Sequence, residues 1–109
     1  MRAAALSAVL YLAVTAAIGV DVLRSPSGGI AHDSGDPLLA AAVLTWNASH
    51  TPFSDAWWQF PIFHPTRDAL AFSEHMLGVS VLATPLLWLT GDTLAAYHAK
   101  LLLTYPLCG

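Results

Sequence analysis

Between Arg2 and Asp21 the chain carries no charged residue. Coiled into a helix rising about 1.5 Å per residue, the run from Ala3 to Val20 is close to the length that crosses a hydrocarbon core roughly 30 Å thick. Arg2 precedes it, and Asp21 and Arg24 follow. A cleaved signal peptide is the competing reading, because Gly29-Ile30-Ala31 resembles a small-x-small cleavage site. Two features favour a retained span over 3–23. The run exceeds the roughly 7–15 residues of a signal core, and charged residues separate it from the small-x-small site. Orientation is weakly specified, since Arg2 on one side is matched by Arg24 on the other.

Composition extends this reading to the whole chain. Hydrophobic residues make up 56% and charged residues 10% of the 109 positions, against about 25% charged in an ordinary globular domain. Four Lys and Arg against seven Asp and Glu give a net charge of −3, so no basic patch points to nucleic acid as a partner. Cys108, the single cysteine, has no internal disulfide partner. The fold class that follows is an all-α membrane protein with the lipid bilayer as its surroundings. Tyr105-Pro106-Leu107-Cys108-Gly109 stops inside an apolar run, so the chain is expected to be the N-terminal piece of a longer multi-pass protein.

After the first run, Ser25-Pro26-Ser27-Gly28-Gly29 reads as a turn-rich linker. From 37 to 50, Leu39, Val43 and Trp46 recur at helical spacing. A run this short suits an amphipathic helix lying in the membrane interface, with Trp46 at headgroup level. The segment from Thr51 to Pro65 is broken by three prolines and carries Phe53, Trp57, Trp58, Phe60 and Phe63. It reads either as an aromatic belt at the membrane surface, which covers most of these residues, or as a loop shaping a groove for a lipid-linked or sugar ligand. A second span is expected over 69–89. Then comes a tight turn, with Gly91 just past a helix end and Asp92 or Thr93 capping the next helix, and a third span over 93–109. Lys100 in that third span either snorkels back toward Gly91 or faces the bundle interior. With the Gly91 turn cytoplasmic, the loop 24–68 is extracytoplasmic.

Gly35-Asp36-Pro37-Leu38-Leu39, Trp46, Pro61-Ile62-Phe63-His64-Pro65 and Leu70-Ala71-Phe72-Ser73-Glu74-His75, followed by Leu89-Thr90-Gly91-Asp92-Thr93, resemble the opening of a bacterial GT-C-type membrane glycosyltransferase. The resemblance covers 35–109, and the first span fits by position only. It implies a multi-pass protein of the inner (plasma) membrane whose first extracytoplasmic loop holds an interfacial helix. It also implies an acidic residue opening that helix as catalytic base, here Asp36. The donor it implies is a polyprenyl-phosphate-linked sugar, passed with inversion to a hydroxyl of a glycan or lipid acceptor. His64 stands where Tyr is more usual before Pro65, and His98 and Lys100 stand where Asn or Arg is more usual.

Each candidate residue also has a plainer role. Asp36 either caps its own helix, since Asp suits the N-cap and Pro37 the first helical position, or turns toward a substrate hydroxyl as general base. Asp33 is the runner-up base and otherwise an exposed loop acid. Glu74 and His75 either end the second span at the headgroups or line the acceptor or phosphate site. Arg67 pairs with a lipid phosphate or anchors at headgroups, and His64 completes the substrate-binding set. No cofactor is expected. A divalent cation held by His32, Asp33 and Asp36 is the weaker alternative, because their spacing is not diagnostic. Set against a transferase is a non-catalytic multi-pass protein, either a transporter fragment or an assembly partner. The chain alone is expected to be inactive, since three spans do not supply both a donor and an acceptor pocket.

Overall fold

The turn between the last two helices sets the frame. In the computed structural model, which describes residues 2–30 and 34–108, Gly91 takes φ +65° and its N–H reaches Leu87 O at 2.8 Å. One residue later the Asp92 carboxylate accepts the Ala95 N–H at 2.9 Å. A left-handed glycine closing one helix and an aspartate capping the next reverse the chain within two residues. The helices so joined are α5 (Leu77–Thr90) and α6 (Thr93–Cys108); ahead of them come α1 (Arg2–Ile18), α2 (Val20–Arg24), α3 (Asp36–Ser49), α4 (Asp55–Trp58) and a 3-10 turn (Ala69–Phe72). No strand occurs among the described residues.

α3 packs against both arms of the α5–α6 hairpin, and α1 lies along α6. Ala41 and Leu44 of α3 meet Ala83 and Tyr97 in one buried cluster. Small residues at these crossings let helix backbones approach. On its other side α3 sends Val43 into a second cluster with Trp57, Phe60 and Leu70. Met76 packs against both clusters. Polar bonds fix the register. Thr45 and Thr93 share a hydroxyl–hydroxyl bond of 2.9 Å, and the Trp46 indole N–H donates to Trp57 O at 2.9 Å.

Several expectations are corrected here. No helix among the described residues is long and apolar enough to cross a membrane, which overturns the three-span membrane bundle and the multi-pass inner-membrane location. The first apolar run stops as a helix at Ile18, and its 17 residues reach only about 25 Å; Gly19 separates it from α2. The stretch expected to span 69–89 is broken. Its first residues form the 3-10 turn, Ser73 is extended, Met76 is left-handed at φ 49°, and α5 proper holds 14 residues. The third run keeps 16 residues but buries His98 and Lys100.

α3 is likewise no interfacial helix: Ala41, Val43, Leu44 and Asn47 are buried within the molecule. Nor do the aromatics form a belt. Trp57 is fully buried, and Phe60 joins it in the core, while Phe53 and Phe63 remain exposed. Ser54 shapes this segment, its hydroxyl accepting the Trp57 N–H at 3.2 Å to start α4.

Candidate functional site

Asp36 begins α3, one position later in the helix than the sequence suggests. Gly35 occupies the cap, and its carbonyl accepts the N–H groups of Leu38 and Leu39 at 3.1 and 3.3 Å. Asp36 is then the first helical residue. Pro37 remains harmless beside it, because the first N–H groups of a helix have no intrahelical partner. A carboxylate in the first turn is favoured by the helix dipole. The Asp36 side chain is exposed, and the helix start uses no side-chain cap.

The residue that shares its cavity comes from a different part of the chain. A cavity of about 180 Å³ is lined by Asp36, Ser73 and Glu74, with Leu39, Val43 and Met76 among its apolar walls. Glu74 is carried there by the irregular segment between the 3-10 turn and α5. Asn47, buried on α3, holds that segment: its amide donates to His75 O and to Ser80 Oγ, both at 2.7 Å. Ser80 passes the bond on to Met76 O at 2.9 Å. The glutamate is therefore positioned by its neighbours' backbone.

The other proposed site residues lie elsewhere. His75 is exposed, and its Nδ1 accepts the Leu77 N–H at 3.3 Å, which satisfies the first N–H of α5. Its ring lies 6.0 Å from that of Trp57. His64 and Arg67 are exposed on the segment after α4 and do not line the cavity. A clasp closes that segment: the Gln59 amide donates to the Asp68 carboxylate, and the Asp68 N–H donates back to Gln59 Oε1 at 3.2 Å. His32 and Asp33 lie outside the described residues, so the runner-up base and two of the three alternative cation ligands have no placement. Among the described residues no group of three His, Cys, Asp or Glu is arranged to hold a metal ion.

Spacing alone did not single out Asn47 or Ser73. Asn47 sits in a glycosylation sequon, Asn47-Ala48-Ser49, which reads as chance in mid-helix; its burial and two bonds give it a structural role. Lys100 turns inward, with its Nζ 4.5 Å from the Tyr97 ring centroid. Burial holds its pKa below the usual lysine value and raises that of Tyr97. Beside the hairpin turn, the Ser27 hydroxyl and then the Ala95 N–H hold the Asp92 carboxyl below the ordinary carboxylate range. His98 is buried, and its Nδ1 meets Pro26 O at 2.7 Å.

Compared with known proteins, the chain matches no family model, no curated protein and no solved structure. The resemblance to GT-C glycosyltransferases therefore rests on the residues quoted above, and the membrane scaffold it implies is not the one these helices build.

Proposed function

We propose that this chain carries the hydroxyl-activating part of a sugar-transfer site, with Asp36 as general base. One observation supports it most: Asp36 and Glu74, far apart in sequence, line one cavity, and the cap position of α3 belongs to Gly35 rather than Asp36. In this reading an acceptor hydroxyl donates its hydrogen bond to Asp36. As the oxygen attacks the anomeric carbon, its proton passes to the carboxylate, and the donor's phosphate leaves with the bonding electrons. Glu74 accepts a bond from a second hydroxyl and fixes the acceptor's orientation.

Charge assigns the roles. Two carboxylates repel a phosphate and suit a neutral polyol, so the cavity takes the acceptor, while the polyprenyl-phosphate-linked sugar lies to one side. Volume agrees. About 180 Å³ is below the roughly 300 Å³ at which pockets enclose a drug-sized ligand, so it admits the hydroxyl-bearing end of an acceptor and not a whole donor.

The test is sugar transfer from a polyprenyl-phosphate donor by the protein. Asp36→Asn keeps the helix start, because Gly35 forms the cap, and lowers turnover by about 10²–10⁴-fold, the usual range for a general base. Turnover within a fewfold of the parent refutes the assignment and leaves Asp36 as a carboxylate that only favours its helix dipole.

A further inference from the structure

A larger cavity, of about 560 Å³, opens at the other end of α3, between its C-terminal turn and α5. It lies within the range of roughly 300–1,000 Å³ typical of small-molecule sites. Leu77, Val81, Pro85 and Trp88 form its apolar wall, and no Asp, Glu, Lys or Arg lines it. Val81 and Trp88 are 71% and 73% exposed, so the wall is open to a ligand without unfolding anything. A cavity without formal charge gives nothing to offset the desolvation of an ion, which selects a neutral occupant.

Several polar groups around this wall are engaged within the protein, while the buried Asn47 Oδ1 has no hydrogen-bond partner among the described residues. The Trp88 indole N–H donates to Ala48 O at 3.2 Å, the Ser49 hydroxyl to Trp46 O at 2.9 Å, and the Asn47 amide to His75 O and Ser80 Oγ. His50 differs. Its ring stacks on Trp46 with centroids 3.8 Å apart, and its Nδ1 lies 2.9 Å from Trp46 O. Ser49 Oγ lies 3.1 Å from the same nitrogen; the carbonyl only accepts and the Ser49 hydroxyl directs its own proton to Trp46 O, so Nδ1 carries the proton. In the neutral ring this leaves Nε2 as an acceptor, on the edge away from the helix backbone. The cavity thus combines an aromatic and aliphatic wall with a pre-oriented acceptor.

We infer that this cavity is a binding site for a neutral, hydroxyl-bearing molecule with a compact apolar body, its hydroxyl donating to His50 Nε2 and its body lying against Trp88. The site is separate from the carboxylate cavity and stands whether or not Asp36 is a base.

The test titrates the full chain with 4-ethylphenol and with its O-methyl ether, followed by NMR of the His50 and Trp88 ring protons. The two probes share a body, and only the phenol donates. The phenol is expected to give saturable shifts at both rings, with the ether binding about tenfold more weakly, the worth of one hydrogen bond. His50→Phe keeps a ring to stack on Trp46 and is expected to bind the two probes equally. Val81→Arg, at an exposed position, is expected to block both without affecting folding. The inference is overturned by absence of saturable shifts, by equal affinity of the two probes in the parent chain, or by discrimination that survives in His50→Phe.

Discussion

α1 and α3 are both apolar helices of ordinary length, 17 and 14 residues, and they meet opposite fates. α3 is gripped on both sides, by the hairpin and by the aromatic segment. α1 is exposed along nearly its whole length: Leu6, Val9, Leu10 and Ile18 are all open, and Thr15 and Gly19 are the buried positions of its run. Hydropathy does not separate the two. What separates them is directional chemistry. α3 carries Thr45, Trp46 and Asn47 in consecutive positions, and each makes a bond to a distant part of the chain. α1 carries Ser7, Tyr11 and Thr15, of which only Thr15 is buried. Apolar surface supplies the drive to associate, and polar side chains at fixed positions select which association forms.

Substitutions can break that contrast or sharpen it. The largest effect is expected at Trp57→Ala, which empties the centre of the cluster beneath α3. A loss of about 3–5 kcal/mol is expected, as for large-to-small changes at buried aromatics, read by denaturant unfolding. A loss below about 1 kcal/mol would mean that α3 is held no better than α1. Next comes Asn47→Ala. It removes two bonds and strands the His75 carbonyl, for an expected cost of about 2 kcal/mol. Hydrogen exchange is expected to quicken in the segment around Glu74 while the hairpin stays protected.

Lys100 gives a subtler signal. Burial lowers its pKa in the folded chain from the ordinary lysine value of 10.5, so the unfolded chain binds more protons between the folded value and 10.5. Stability therefore rises with pH across that window and falls as pH drops back through the folded value. Lys100→Met is expected to flatten that slope in unfolding curves, and an unchanged slope would assign it to another group. Leu10→Ala on α1 closes the series, with an expected change within about 0.5 kcal/mol, as for exposed positions. A cost near that of Trp57→Ala would show that α1 is covered in solution.

The sequence made local features legible and left tertiary ones hidden. Gly91 and Asp92 could be read because a left-handed glycine and a capping carboxylate act within a few residues. The start of α3 lies one position earlier than the sequence implies, because Gly35 and Asp36 both suit a cap and only the bonds to the Gly35 carbonyl decide. The expected spans failed for a related reason. An apolar run states how much surface must leave water, whereas the breaks at Gly19 and between the 3-10 turn and α5 are backbone events that hydropathy does not register. Trp57 and Phe60 read as belt residues or as part of a groove, and aromatic spacing does not register that they enter the core instead. Asp36 was reached from resemblance and position. That it lines one cavity with Glu74 depends on how α3 docks on α5, and Asn47, which holds Glu74's segment, is hidden inside a sequon.

The clasp between Gln59 and Asp68 bears on how this molecule tolerates variation. Two reciprocal bonds join the ends of a ten-residue stretch, and from Phe63 to Arg67 every side chain inside it is exposed. Lengthening a closed loop costs slowly, about 0.6 kcal/mol for each doubling, and here the added chain would disturb no buried contact. The tip is therefore the natural place to graft a tag, an epitope or a foreign binding loop, and the place where natural variants of different length are accommodated first.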